Sequence, residues 1–154
     1  MDVTSLDDQQ LLRLRSALDR EARRRGLTLD IGALGERLVI ELFKKRPDLP
    51  VLSAAPPGTK NVDALSRDGE RYSIKSLQRA KKTGTVYPDS DRERQLFEYL
   101  VIALLSDTLE LSRVVVLSWE QFCAVRSWDS RMGAWYVARS RRALDIGHQV
   151  LPSD

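Results

Sequence analysis

The sequence predicts an α/β domain in which a sheet packs on helices. Three observations carry this reading. Two stretches near the start repeat apolar residues at helical spacing, Asn61 to Ser66 and Arg71 to Leu77 alternate around an Asp-Gly turn, and Val114-Val115-Val116-Leu117 is an apolar run without polar alternation. The last pattern belongs to a strand covered on both faces, which places helices on both sides of the sheet.

The elements follow in order along the chain. Ser5-Leu6-Asp7-Asp8 reads as an N-terminal cap, and Leu11, Leu14, Leu18 and Ala22 recur at helical spacing until Arg23-Arg24-Arg25-Gly26 closes the segment. A second helix starts near Thr28 or Asp30, turns Ile31, Leu34, Leu38 and Leu42 inward, and ends at Lys44-Lys45-Arg46 before Pro47. Gly32 and Gly35 each weaken that helix by about 1 kcal/mol against alanine, a loss that close approach to the sheet would offset. Val51 to Ala54 forms a short strand, and Pro56-Pro57-Gly58-Thr59 leads into the alternating pair. Ser90-Asp91-Arg92-Glu93 has the capping-box form ahead of Leu96, Phe97, Leu100, Val101, Leu104 and Leu105, so a buried helix is expected there. After the strand at Val114 to Leu117, Ser118 caps a short helix from Trp119 to Val125. Trp135 to Ala138 reads as the final strand, and Arg141 to Leu144 as a helical turn.

Loop length decides which side chains meet across the Asp-Gly hairpin. A two-residue loop, Asp68-Gly69, sets Asp63 opposite Ile74 and turns Ser73 and Lys75 to the other side. A three-residue loop, Arg67-Asp68-Gly69, pairs Ser66 with Glu70, Asp63 with Ser73 and Asn61 with Lys75, with Gly69 in the left-handed region. Asp63, Ser73 and Lys75 then share one face, while Val62, Ala64, Tyr72, Ile74 and Ser76 share the other. The second face is mostly apolar, so the burial pattern favours the longer loop. An acidic residue and a lysine on one face of a sheet can hold a metal ion against a phosphodiester. A surface ion pair between Asp63 and Lys75 is the competing explanation.

At 154 residues and 42% hydrophobic content, the chain has room for one domain with a sizeable core. It reads as a single domain over 1–154, with an N-terminal helix in 1–27, a core in 28–126, and a C-terminal strand and tail in 127–154. A net charge of +3 and a pI near 9.2 permit an anionic partner without requiring one. Cys123 is the single cysteine, which rules out an internal disulfide, and it reads as a small buried hydrophobe. His148 stands alone near the tail and reads as a surface or structural residue. No stretch is apolar enough for a signal peptide or a membrane span, so a cytoplasmic location is expected.

Gly35-Glu36 in the second helix, Asn61-Val62-Asp63 on one strand and Ser73-Ile74-Lys75 on the next, taken together, resemble the core of the PD-(D/E)XK nuclease superfamily. The resemblance covers roughly Asp30 to Val125. It implies a restriction-endonuclease-like αβββαβ core, a central mixed sheet flanked by helices, with the first helix as an extra N-terminal element. It also implies a nuclease that uses Mg²⁺ or Mn²⁺ and hydrolyses phosphodiester bonds, with DNA favoured over RNA.

By that resemblance Asp63 is the central metal ligand, because a hard divalent cation prefers carboxylate oxygen. Lys75 lies near the scissile phosphate and the attacking water, and Ile74 offers its backbone carbonyl to the metal. Glu36 resembles the acidic residue that many members carry on the first core helix, and Gln78 orients substrate or water. Ser73 departs from the pattern, since most members have aspartate or glutamate there. Asp89, Asp91 and Glu93 are the candidates to supply the missing acid from the following segment. If none reaches, the chain is a nuclease fold that binds nucleic acid or a protein without cutting.

The segment beyond the hairpin supplies the partner argument. Arg79, Lys81 and Lys82, with Thr83-Gly84-Thr85, read as a mobile cationic loop, and Arg92 and Arg94 follow; phosphate contact is their natural use and a solvated loop the alternative. Tyr87 is placed to stack on a base. Arg139, Arg141 and Arg142, and Arg23 to Arg25, extend the basic surface. At this size the chain has no evident target-recognition domain, so a homodimer or one subunit of a larger system is expected, with the first helix as an interface.

Overall fold

The computed structural model describes residues 2–152. Helix α1, Asp8–Arg24, starts at the capping box formed by Asp7 and Gln10 and ends ahead of Gly26, whose φ of 67° lies in the left-handed region. Helix α2, Ile31–Lys45, is capped by the Asp30 carboxylate on the Ala33 N–H. Its buried line is Gly35, Val39 and Phe43, and the residues expected inward, Ile31, Leu34, Leu38 and Leu42, are only half-buried. Gly35 is the cause of this rotation by about one residue. A Cβ there would run into the side chain of Ser76, so the missing side chain is what lets the helix lie on the sheet, whereas Gly32 meets only the Asp30 side chain.

The sheet strands are β1, Leu52–Ala54; β2, Ala64–Ser66; β3, Arg71–Leu77; β4, Tyr99–Leu105; and β5, Leu111–Ser118. Helix α3, Trp119–Val125, follows β5 from a Ser118 cap. A separate hairpin of β6, Arg126–Asp129, and β7, Ala134–Val137, comes next, then α4, Arg141–Ile146, and β8, His148–Leu151. The chain is therefore α/β, with a mixed six-stranded sheet in the order β1-β2-β3-β4-β5-β8. Only β3 and β4 pair in parallel; the other neighbours are antiparallel.

The helix expected from Ser90 to Leu105 is instead an irregular crossover followed by β4. Six consecutive apolar residues, Leu100 to Leu105, fill helical positions and strand positions equally well, so periodicity does not separate the two. Burial decides it. Leu100, Ile102 and Leu104 enter one core layer while Val101 and Ala103 enter the other, which is what a strand between two covered faces must do. The Asp91 carboxylate does accept from the Glu93 N–H, but it closes a turn and not a helix. Trp135 to Ala138 is not the last strand either, because the four residues of β8 add to the sheet against β5. So short a strand leaves no alternation to read.

Two core layers sandwich the sheet. Val39 and Phe43 of α2 pack with Leu52, Ala64, Tyr72, Ile74, Val101 and Val114 on one side. On the other, Phe122 of α3 and Ala143 and Leu144 of α4 pack with Leu77, Phe97, Ile102, Val115 and Leu117. The crossover between β3 and β4, expected to be mobile, is pinned to the β6–β7 hairpin and the residue that follows it. Lys82 pairs with Ala138 and Val86 with Trp135, and the buried Thr83 hydroxyl accepts from the Val137 N–H at 3.0 Å. Among the described residues no helix is long and apolar enough to cross a membrane.

The Gly35 contact gives a direct check. Gly35→Ala should destabilise the protein by about 1–3 kcal/mol despite the better helix propensity of alanine, because overpacking against Ser76 outweighs it. Urea unfolding should show part of that loss recovered in Gly35→Ala/Ser76→Gly.

Candidate active site

The hairpin joining β2 to β3 turns through Arg67-Asp68-Gly69. The Ser66 N–H donates to the Glu70 carbonyl at 3.0 Å, the Gly69 N–H to the Ser66 carbonyl at 3.1 Å, and Gly69 has φ of 82°. Ala64 lies opposite Tyr72, which puts Ala64, Tyr72 and Ile74 under α2 as the apolar pattern requires.

Beyond Ala64 the ladder slips, in the way a β-bulge slips. The Asp63 N–H donates to the Tyr72 carbonyl at 2.8 Å, and the Asp63 carboxylate, not a backbone carbonyl, accepts from the Ile74 N–H at 2.6 Å. Asn61 takes a φ of 59°, and its side chain donates to the Tyr87 carbonyl at 2.8 Å. The ladder pairs expected between Asp63 and Ser73 and between Asn61 and Lys75 are therefore not formed. Val62, expected under α2, instead lines a cleft with Arg71, Arg94 and Leu96. The Asn61 side chain bonds to Tyr87 and the Asp63 side chain to Ile74, and the regular strand pairing stops at Ala64.

Helix α2 brings Glu36, the neighbour of Gly35, to the same place. Burial pushes the Glu36 carboxyl above its usual range, the Asp63 carboxylate adds repulsion, and Lys75 pulls the other way. Lys75 is half-buried, and burial lowers its ammonium below the ordinary lysine value against the opposing attraction of Asp63 and Glu36. Its Nζ donates to the Thr85 carbonyl at 3.1 Å, which anchors the crossover over the strand. Ser73 is wholly buried and its Oγ has no hydrogen-bond partner. The Ile74 carbonyl points to the edge held by Asp63, since the N–H and C=O of one strand residue face the same neighbour.

The remaining sequence candidates are engaged elsewhere. Gln78 Nε2 donates to the Ser106 carbonyl at 3.1 Å. Asp89 lies 3.8 Å from both Lys60 and Arg94, Asp91 holds its turn, and Glu93 pairs with Arg126 at 2.6 Å. The acid that joins Asp63 is thus Glu36, from the helix ahead of the hairpin. Among the basic residues, Arg79 pairs with Asp107, Lys82 pairs with Asp129 and lies over Tyr136, and Arg92 stacks on Trp128 at 3.6 Å. Lys81 and Tyr87 present exposed side chains. Sequence reasoning missed two neighbours of the cluster. Asp30 adds to the repulsion on Glu36 and reads in sequence only as a cap, while the Thr85 carbonyl is a backbone group with no sequence signal.

Among the described residues no group of three or more His, Cys, Asp or Glu side chains is placed to hold a metal ion. The oxygens at this edge are the Glu36 and Asp63 carboxylates and the Ile74 carbonyl; the unpartnered Ser73 hydroxyl belongs to the residue before Ile74 on β3. No family model matches the sequence, and no curated protein matches it.

Two stability measurements test this geometry. Asp63→Ala leaves the Ile74 N–H without its acceptor and should lose about 1–3 kcal/mol in urea unfolding, whereas Asp63→Asn keeps an oxygen there and should lose less. A carboxyl whose folded-state pKa is raised contributes stability that is complete below the ordinary carboxylate range and is lost as pH rises through the raised value. Without divalent cation, Glu36→Gln should match the parent near pH 4 and become relatively more stable toward pH 7; a gap that is constant with pH would refute the assignment.

Proposed function

We propose that this chain is a metal-dependent nuclease that hydrolyses phosphodiester bonds at the β2–β3 hairpin. The observation that carries the reading is that Glu36 of α2 and Lys75 of β3 are both partly buried and both lie within the field of the Asp63 carboxylate. Perturbed ionisable groups of both signs at one place are what general acid–base and phosphoryl chemistry needs. The element order α2, β1, β2, β3 and a parallel return to β4 agrees with a restriction-endonuclease-like core, except that the crossover carries no helix.

The donors suit Mg²⁺ or Mn²⁺, which are commonly held by one or two carboxylates together with substrate phosphate. Asp63 and Glu36 would hold the ion, with the Ile74 carbonyl and the Ser73 hydroxyl as further oxygens; Ser73 is a buried hydroxyl whose lone pairs are unused. A bound ion supplies a lowered water pKa and neutralises phosphate charge. One Asp63 oxygen is fixed by the Ile74 N–H, so the carboxylate presents the other in a set direction. Lys75 faces the phosphate or the water, and burial eases release of a proton from its Nζ. Exposed Lys81, Tyr87 and Arg94 supply contacts to the nucleic-acid backbone, with DNA as the first substrate to test.

A second reading is a nuclease-like module that binds nucleic acid without cutting it. Two observations favour it: serine stands at the position of the second acid, and no three-acid group is present among the described residues.

One assay separates the two. With Mg²⁺ or Mn²⁺ and mixed DNA and RNA substrates, the parent should cleave, and Asp63→Asn and Lys75→Met should each lose at least about 100-fold in rate, the scale of one removed catalytic group. Binding by fluorescence anisotropy with no cleavage in the parent selects the second reading. Cleavage unchanged in both variants removes the site.

A further inference from the structure

The exposed large hydrophobic residues of this chain are concentrated at its start. Leu11, Leu12 and Leu18 are 39%, 65% and 58% exposed, and Val3, Leu27 and Leu29 extend the patch on either side of α1. Leu11, Leu14 and Leu18 fall on one side of the helix at the spacing of a seam, continued by Ala22. Among the described residues α1 has no substantial packing with any other helix or strand. A lone helix of 17 residues is only marginally stable in water, even with a capping box, because most helix stability in proteins comes from burying an apolar face. Among the described residues, the other helices and strands give that apolar face no substantial cover.

The charges state what kind of surface. Asp2, Asp7 and Asp8 sit at the start of the segment, Arg13 and Arg15 in its middle, and Arg20, Arg23, Arg24 and Arg25 at its end, where Asp19 and Glu21 are the acids. Its two ends thus carry opposite sign. Two such helices side by side in the same direction set like charges together at both ends, whereas antiparallel helices set acid against base at both ends and oppose their dipoles. An anionic lipid surface fits less well. Asp8, Asp19 and Glu21 interrupt the five arginines of the helix, and α1 has no aromatic residue to anchor in a headgroup layer.

We propose that α1 is the dimerisation element of this protein, pairing antiparallel with α1 of a second copy through Leu11, Leu14 and Leu18. The seam is small, so the dimer dissociates in roughly the micromolar range, the weak end of specific association. Higher salt weakens it, because the end-to-end charges are solvent-exposed. This pairing is independent of the chemistry at Asp63.

Sedimentation equilibrium of the full chain tests it. The parent should dimerise, and Leu14→Glu/Leu18→Glu should weaken association by at least about 100-fold, since two leucines leave the seam. Circular dichroism and urea unfolding confirm that the body of the variant still folds. Arg23→Glu/Arg24→Glu and Asp2→Lys/Asp8→Lys should each self-associate more weakly than the parent, and an equimolar mixture of the two should recover the dimer. A parent that stays monomeric to several hundred micromolar, a leucine variant that dimerises like the parent, or charge variants that fail to recover on mixing each overturn the proposal. So does an α1 that binds anionic phosphatidylserine vesicles while the chain remains monomeric.

Discussion

The bond from the Ile74 N–H to the Asp63 carboxylate organises the region where charge collects. In an uninterrupted hairpin that donor would meet a backbone oxygen from β2. Here a side chain takes its place at 2.6 Å, and the strand covers only Ala64–Ser66 of the alternating run that starts at Asn61. The slip has two consequences. It releases Asn61 and Val62 from the ladder, so that Asn61 can bond to Tyr87 in the crossover, and it fixes the Asp63 carboxylate at the sheet edge beside Glu36 and Lys75.

Close approach of α2 is the second requirement, and it depends on a side chain that is absent. Gly35 lets the helix settle against Ser76, and the next residue, Glu36, is thereby carried into the field of Asp63. A larger residue at 35 would lift the helix and withdraw the carboxyl. The cluster that results opposes folding in part. A carboxyl is held above its normal pKa and an ammonium below, which means that the protein keeps both groups in surroundings that disfavour their charged forms. Functional sites commonly hold such arrangements, which folding alone would not select.

The crossover between β3 and β4 shows how an irregular segment is held without helix or strand. Trp135 of the β6–β7 hairpin and Ala138 just beyond it pair with the crossover, Thr83 buries its hydroxyl against Val137, and the Lys75 ammonium donates to the Thr85 carbonyl. The stacked side chains reinforce this join. Arg92 lies on Trp128, and Arg126 lies 3.8 Å above Trp135 while pairing with Glu93. Several basic residues that the sequence offers to a polyanion thus have neighbours within the fold, which narrows the surface left for contact.

Much of the local structure was written in the sequence because it depends on neighbours in the chain. The caps at Asp7, Asp30 and Ser118, the turn at Arg67-Asp68-Gly69 with its left-handed glycine, and the short helix Trp119–Val125 each follow from residues a few positions apart. Asp63 and Lys75 were legible for the same reason, as charges on an otherwise apolar hairpin. The tertiary structure alone decided the rest. Leu100 to Leu105 became a strand because both faces of the run are covered, and coverage is not a property of the run itself. The acid beside Asp63 proved to be Glu36 and not Asp89, Asp91 or Glu93, because the packing of α2 through Gly35 sets that distance and sequence spacing does not. Residues near one another in the chain are constrained by backbone geometry, so their arrangement can be read directly. Which distant groups meet is fixed only when the layers pack.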